Sequence, residues 1–139
     1  MILDLLRRKF VANTPEENVR QWFIRVLKDE ALVPASLMRS EVFFRFGEEI
    51  GGLTGSKRKQ YRADIVVYDR SLHPVMTVEC KRPEVEITEE TALQAMRYNM
   101  VLNVKWLVLT NGKQTMIFRR KGDVFTPESA LPKYEEIAL

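Results

Sequence analysis

Residues 74–83 read PVMTVECKRP, in which Glu79 and Lys81 interrupt an apolar run. In a β-strand, side chains two residues apart point to the same face and lie roughly 7 Å apart along the chain. Glu79 and Lys81 therefore share one face, and Val78 and Cys80 share the other. Two interpretations fit this pattern: a solvent-facing strand with a neutral charge pair, or one part of a metal-dependent active site.

The length and composition are typical of one globular domain. The chain has 139 residues, of which 45% are hydrophobic and 29% are charged, and this is enough to bury a core. No apolar run approaches the roughly 20 residues needed to cross a bilayer. The start MILDLLRRKF (1–10) lacks the order of a secretory signal. We expect a single cytoplasmic domain over residues 1–139, with a core at about 14–120 and a C-terminal extension at 121–139.

Few side chains are available as soft metal ligands. The sequence contains one cysteine, Cys80, and one histidine, His73. These numbers exclude an internal disulfide and disfavour a zinc enzyme built on His and Cys ligands. Any metal ion must be held by oxygen ligands, which indicates a hard ion such as Mg²⁺ or Mn²⁺.

The charges are unevenly distributed along the chain. The formal net charge is +3, but the stretches KRKQYR (57–62) and RRK (119–121) concentrate the cations. The stretch 83–90 and the tail from Pro127 onward are acidic. Local basic patches suit a polyanion such as nucleic acid, although solvated loops have the same composition.

The first helix is predicted from Thr14 to about Glu30. Thr14 is a favourable N-cap, Pro15 suits the first helical position, and Glu17 completes a capping box of the form T-x-x-E. The apolar residues that follow recur at helical spacing and predict one buried stripe. This stripe consists of Val19, Trp22, Phe23, Val26 and Leu27.

The remaining pattern predicts an α/β fold with the element order α-β-β-β-α-β-β. A second helix, capped by Thr88 and reaching about Leu102, separates the strands 75–81 and 105–110, which indicates a parallel crossover. The sheet should therefore be mixed and flanked by helices. The five strands are predicted at 41–46, 63–69, 75–81, 105–110 and 115–120.

Two neighbouring strands bring candidate catalytic residues together. Asp64 enters the strand that pairs with the one carrying Glu79, and paired strands lie about 4.8 Å apart. A divalent ion held by two carboxylates, a backbone oxygen and water can polarise a phosphodiester and lower the pKa of its bound water. Lys81 would orient that water or stabilise the developing charge. The metal ligands expected are Asp64, Glu79 and Cys80, although the Cys80 side chain itself is most simply a small core residue.

The pattern D-x₁₄-E-x-K formed by Asp64, Glu79 and Lys81 resembles the PD-(D/E)xK nuclease superfamily, which has the restriction-endonuclease-like fold. The stretch QAMRY (94–98) looks like the Q-x-x-x-Y element of the RecB-like branch. The stretch TPEENVRQWF (14–23) is similar to the opening helix of type I restriction enzyme R-subunit N-terminal domains. One departure is Ala63, which stands where the superfamily name has proline.

The resemblance implies roles for further residues. Gln94 would lie near the metal site and Tyr98 toward DNA. In that family a helical glutamate, four positions before an arginine, reaches the site. Glu16 matches by its spacing to Arg20, with Glu17 left as the helix cap; the opposite assignment stays open.

The function expected from this resemblance is a Mg²⁺-dependent DNA endonuclease that hydrolyses phosphodiester bonds. No P-loop pattern occurs in the sequence, so we expect no ATP-driven translocation by this polypeptide unaided. Expected partners are DNA, a helicase or methyltransferase subunit, or a second copy of the chain, but no membrane. The alternative is a non-catalytic nucleic-acid-binding or adaptor domain with the same fold. The nucleic-acid contacts expected are Arg58, Lys59, Arg62 and Tyr98.

Overall fold

A six-stranded mixed sheet lies between helices in the computed structural model, which describes residues 1–46 and 59–139. The N-terminal part contains the strands β1 (Ile2–Asp4) and β2 (Lys9–Val11) and the helix α1 (Pro15–Asp29). A short 3₁₀ helix (Ala35–Leu37) then precedes the strands β3 (Met38–Phe46), β4 (Lys59–Tyr68) and β5 (Pro74–Cys80). The remaining elements are α2 (Glu89–Leu102), β6 (Trp106–Thr110), β7 (Thr115–Lys121), β8 (Val124–Glu128) and α3 (Tyr134–Ile137).

The strand order of the sheet is β3-β4-β5-β6-β7-β8. The pairing of β5 with β6 is parallel, and the other neighbouring strands of this sheet pair antiparallel. The helix α2 connects the two parallel strands, because a parallel pair needs a crossover connection rather than a tight turn. The predicted mixed sheet flanked by helices is confirmed.

Local capping sets the starts of both long helices, as the sequence predicts. The Thr14 hydroxyl accepts a hydrogen bond from the Glu17 N–H at 3.1 Å, and the Thr88 hydroxyl accepts one from the Thr91 N–H at 3.2 Å. Each bond satisfies one of the donors left unpaired in a first helical turn. The helix α2 ends at Asn103, whose φ of 59° is the left-handed conformation common at helix C-termini.

One face of the sheet packs against α1 and α3. Phe23, Ile24 and Leu27 of α1 lie in one core cluster with the sheet residues Ile65 and Val78. Full burial of one such side chain is worth about 1.5–3 kcal/mol. The same cluster contains Tyr134 and Ile137 of α3.

Trp22 was predicted to belong to this core, and that prediction is wrong. The Trp22 side chain is 37% exposed, whereas its neighbour Phe23 is 2% exposed. The apolar stripe of α1 is therefore narrower than the helical spacing suggests.

The opposite face of the sheet packs against α2. Ala92 and Ala95 contact Leu107 and Leu109 of β6 in a second cluster. Their small side chains bring the helix close to the sheet, so polar residues on the same helical face lie near the strands.

The 3₁₀ helix, the N-terminal hairpin, β8 and α3 have no counterpart in the predicted element order. The strands β1 and β2 form a separate antiparallel hairpin, and β8 extends the main sheet beyond β7. The helix α3 is held by two hydrogen bonds, from the Tyr134 hydroxyl to the Tyr68 carbonyl at 2.9 Å and from the Tyr134 N–H to the Ala31 carbonyl at 2.8 Å. Residues near the C-terminus thus contribute to both sheet and core.

Within the described residues, the structure contains no helix with the length and apolar character required to span a membrane.

Candidate active site

A cavity of about 350 Å³ lies beside the carboxyl end of β5 and beneath α2. It brings together six residues that the sequence analysis singles out, from β4, β5, the segment after β5 and α2. The residues that line it are Gln60, Tyr61, Arg62, Asp64, Glu79, Lys81, Thr91, Gln94, Ala95 and Tyr98.

Glu79 and Lys81 reach the cavity because they lie on the face of the sheet that α2 covers. The alternating residues Val78 and Cys80 pack into the core on the α1 side. The Lys81 ammonium lies 3.9 Å from Glu79 Oε1. The Lys81 N–H donates to the Thr110 carbonyl at 2.9 Å, so the parallel pairing with β6 extends one residue past β5 and fixes the origin of the lysine side chain.

Asp64 is positioned by an irregularity in the strand pairing. In the described parts of β3 and β4, Cα pairs form on both sides of Glu41 and Asp64 and skip these two residues. Glu41 has a φ of 55°, a left-handed conformation that is uncommon for residues other than glycine. On β4, Tyr61 and Ala63 face α2, whereas Ile65 faces α1. Asp64 lies at the point where the side chains of β4 switch from the α2 side of the sheet to the α1 side. It therefore lines the cavity and also contacts Arg20 of α1.

The two oxygens of the Asp64 carboxylate have different surroundings. Oδ2 accepts a hydrogen bond from the Cys80 N–H at 2.6 Å, which ties β4 to β5 next to Glu79. Oδ1 lies 3.0 Å from Nη2 of Arg62 and 3.5 Å from Nη2 of Arg20. Among the described residues, neither Asp64 Oδ1 nor Glu79 Oε2 receives a hydrogen bond, although both atoms are buried.

Burial dominates the electrostatics of both carboxyl groups. It raises the pKa of Asp64 above its ordinary value, and the Cys80 N–H together with Arg62 and Arg20 only partly offsets this. Burial also raises the pKa of Glu79, with Lys81 acting in the opposite direction and the charge of Asp64 adding to the increase. Two carboxylates in one poorly solvated site therefore repel each other, and an added cation would relieve both penalties.

The donor set fits a hard divalent ion. Two acidic residues line the same cavity, and each has one buried carboxylate oxygen that lacks a hydrogen bond. The described residues include no group of three or more His, Cys, Asp and Glu that could hold a metal ion. Mg²⁺ requires no larger set, because it commonly binds through one or two carboxylates and keeps several waters.

Residues 15–132 match the family described as "Type I restriction enzyme R protein N terminus (HSDR_N)". The chain belongs to this family. The match includes α1, the whole main sheet and α2, and it leaves out the hairpin of β1 and β2.

A solved structure shows the same fold. The fragment structure described as an HsdR subunit of a type I restriction enzyme, from Vibrio vulnificus YJ016, superposes with a TM-score of 0.63 at 23% sequence identity. The superposition covers 92% of this chain and 25% of that chain, so this chain spans about a quarter of the length of the similar structure. No curated protein matches the chain.

In this family member, the two residues singled out on α2 have different surroundings. Gln94 is exposed and lines the cavity. Tyr98 also lines the cavity but is 8% exposed, and its ring stacks on Tyr61 with centroids 4.8 Å apart. The expected contact of Tyr98 with nucleic acid stays a prediction; because Tyr61 covers one face of the ring, such a contact would use the part of Tyr98 that lines the cavity.

Glu16 and Glu17 of α1 have different partners near the candidate site. Glu16 Oε1 is 2.8 Å from Nη2 of Arg62, so Glu16 reaches the site through that arginine, and its side chain is not among the described residues that line the cavity. The Glu17 N–H bonds to Thr14, but the Glu17 carboxylate is buried against Arg20 at 3.5 Å and accepts from Gln21 at 2.9 Å. Glu17 is thus an internal partner of Arg20 as well as a capping position.

Of the three remaining predicted residues, the structure describes the side chain of Cys80 but not those of Arg58 and Lys59. The Cys80 thiol is buried in the core and its N–H is bonded to Asp64, so any role in metal binding falls to its carbonyl oxygen. Arg58 lies outside the described residues, and so does the side chain of Lys59. Their predicted contacts with nucleic acid stay predictions.

Sequence reasoning missed several neighbours of the site, among them Thr91 and Arg20. Thr91 lines the cavity three residues before Gln94, and this helical spacing could have identified it. Arg20 is 4% exposed and contacts Asp64 and Glu41 at 3.5 Å each. No local pattern signals these contacts, because they join residues that are far apart in the chain.

Proposed function

We propose that this domain is a Mg²⁺- or Mn²⁺-dependent nuclease that hydrolyses DNA phosphodiester bonds. The supporting observation is the pair of buried acidic residues, Asp64 and Glu79, each of which has an oxygen without a hydrogen bond and both of which line one cavity with Lys81 and Gln94. Membership in a family named for the R protein of type I restriction enzymes agrees with this chemistry.

The residues of the chain have distinct roles in this proposal. Asp64 and Glu79 hold the metal ion, which supplies an activated water and polarises the phosphodiester. Lys81 stabilises charge that develops on the phosphate oxygens, since its ammonium lies within 3.9 Å of a metal-binding carboxylate. Gln94, exposed above the same cavity, orients water or the phosphate by hydrogen bonds.

A cleavage assay with a matched lysine pair tests the proposal. Lys81→Ala should reduce the Mg²⁺-dependent cleavage rate of plasmid DNA by about 100- to 1000-fold, as expected for loss of one transition-state contact. Lys113→Ala, in the exposed turn between β6 and β7, removes the same charge away from the cavity and should leave the rate unchanged. Circular dichroism checks that both variants fold.

Two results would contradict the proposal. Cleavage that persists in EDTA would exclude the metal, and a Lys81→Ala rate equal to that of wild type would exclude the assigned charge stabilisation. Plasmid and single-stranded DNA are both tested, because the cavity does not distinguish strandedness.

A second candidate is a non-catalytic domain that binds nucleic acid or acts as an adaptor. Its supporting observation is the small acid set, since no larger metal-binding group occurs in the described part of the chain. Binding of DNA without turnover in Mn²⁺, unaffected by Asp64→Asn, would favour it.

We also propose that the domain acts with other components of a restriction system. The similar solved structure is four times as long as the portion matched here, so translocation or modification would come from further domains or separate subunits. The proposed partners are DNA, a helicase or methyltransferase subunit and a second copy of the chain. Copurification with candidate subunits and the mass in solution test these associations.

A further inference from the structure

Arg62 bridges the two carboxylates nearest to it. Its Nη2 atom lies 2.8 Å from Glu16 Oε1 and 3.0 Å from Asp64 Oδ1. The same side chain lines the cavity and is 41% exposed. The guanidinium therefore lies against the Asp64 oxygen that lacks a hydrogen bond and that the proposed metal ion would use.

Arg62 and a divalent ion cannot both lie close to Asp64 Oδ1 without strong repulsion, because like charges at short range raise each other's energy. Arg20 also faces this oxygen, at 3.5 Å, but its side chain is 5% exposed and is fixed beside Glu17 and Glu41. Arg62 is the more exposed of the two arginines and is the one with room to move.

We propose that Arg62 is an exchangeable cation: it neutralises Asp64 before metal binding, and the metal displaces it toward the DNA backbone. This inference rests on the proposed nuclease function and adds regulation of the same site. A displaced guanidinium, still attached to β4 at the edge of the cavity, can bind a phosphate bidentately. Metal binding thus frees a DNA ligand, and DNA binding removes a competitor of the metal.

Reciprocal coupling between the two ligands follows from this exchange. If the metal raises the affinity for DNA by some factor, DNA raises the affinity for the metal by the same factor. A partly exposed ion pair is worth at most about 1 kcal/mol, so the share carried by Arg62 should be about fivefold.

The first experiment measures Mn²⁺ affinity without DNA by isothermal titration calorimetry. Asp64→Asn should abolish the binding, which assigns the site. Arg62→Gln should bind Mn²⁺ about fivefold more tightly than wild type, because the competing cation is gone. Arg45 is also exposed and lies on β3, the strand that pairs with β4. Arg45→Gln removes an equal charge outside the cavity and should change the Mn²⁺ affinity by less than about twofold.

The second experiment measures the affinity for a fluorescein-labelled DNA duplex by anisotropy, with and without Ca²⁺, with a gel to show that the duplex stays intact. The enhancement by Ca²⁺ should be about fivefold smaller in Arg62→Gln than in wild type, and unchanged in Arg45→Gln. Arg62→Lys keeps the charge on a flexible stem, so it should retain most of the coupling. Arg62→Met removes the charge and keeps an unbranched stem, so it should lose the coupling as Arg62→Gln does and serves as the test if Arg62→Gln does not fold.

The outcomes separate this inference from the proposed function. Wild-type protein with no Mn²⁺ binding that depends on Asp64 would overturn both. If wild-type protein binds Mn²⁺ normally, either of two results would overturn the exchange alone. One is an Arg62→Gln variant with the metal affinity of wild type, and the other is an Arg62→Gln variant whose DNA affinity is enhanced by Ca²⁺ as much as that of wild type. A tighter metal site together with a reduced enhancement would support it.

Discussion

Asp4 in the N-terminal hairpin and Asp64 in the candidate active site are buried to the same extent, 0% and 1% exposed, but their carboxylates are stabilised very differently. Asp4 Oδ1 accepts from the N–H groups of Leu6 and Arg7, and Asp4 Oδ2 accepts from the Arg7 guanidinium at 2.5 Å. Asp64 accepts one backbone hydrogen bond, and its other oxygen has only the more distant charges of two arginines.

The two pKa values differ in direction for this reason. Burial raises the pKa of Asp4, but the hydrogen bonds from Arg7 and Leu6 outweigh burial and the net pKa is lowered. Burial raises the pKa of Asp64, and its single backbone bond with Arg62 and Arg20 does not reverse the effect. Equal exposure therefore does not imply an equal electrostatic environment.

The comparison indicates different purposes for the two residues. A carboxylate with hydrogen bonds at both oxygens holds the backbone in place and has its charge compensated without another ligand. A buried carboxylate oxygen without a hydrogen bond costs stability, and such atoms in native proteins call for an explanation such as an ion or a catalytic role. Asp64 and Glu79 each have a buried carboxylate oxygen without a hydrogen bond, and the two residues line the same cavity.

The largest expected difference between the two aspartates is in activity. Asp64→Asn should lower the metal-dependent cleavage rate by at least about 100-fold, because one metal ligand loses its charge. Asp4→Asn, assayed well below its melting temperature, should stay within a few fold of wild type. Equal losses in the two variants would show that Asp64 acts only through folding.

The next largest difference is in stability. Asp4→Asn should lower the free energy of unfolding by about 1–3 kcal/mol, since it weakens several buried hydrogen bonds and leaves Arg7 without its closest anion. Asp64→Asn is the matched control and should stay within about 1 kcal/mol of wild type, because the amide relieves the burial of a charge. Urea unfolding at pH 7 measures both; a larger loss for Asp64→Asn would reverse the comparison.

The smallest effect is the dependence of this stability on pH. Because the folded pKa of Asp4 lies below its ordinary value of 3.8, the unfolded chain takes up the proton first as the pH falls. The stabilisation is thus fully present above 3.8 and is lost as the pH drops through the folded value. The difference in unfolding free energy between wild type and Asp4→Asn should therefore shrink at about pH 3. A difference that is constant between pH 7 and pH 3 would contradict the assignment.

The sequence predicted those features that depend on local spacing. The two capping threonines gave the starts of α1 and α2, and the alternation in VECK predicted that Glu79 and Lys81 share a face. The spacing of Gln94 and Tyr98 predicted a common helical face, and both line the cavity.

Features that depend on distant contacts were not predictable in this way. Glu41 adopts a left-handed φ that no residue type announces, and the resulting change of facing in β4 decides where Asp64 points. The exposure of Trp22 and the stacking of Tyr98 on Tyr61 depend on how closely neighbouring elements approach. Helical periodicity defines a face but not its width or its contacts.

The hairpin of β1 and β2 lies before the matched family region, yet Arg7 reaches Glu41 at 3.1 Å, and Glu41 in turn contacts Arg20, the buried partner of Asp64. The Leu5 N–H also bonds to Gln21 at 3.0 Å, next to the partners of Arg20. A chain started at residue 15, where the family match begins, would lack the arginine that contacts Glu41, a partner of Arg20. Expression of this domain should therefore keep its first fourteen residues, although the family match begins after them.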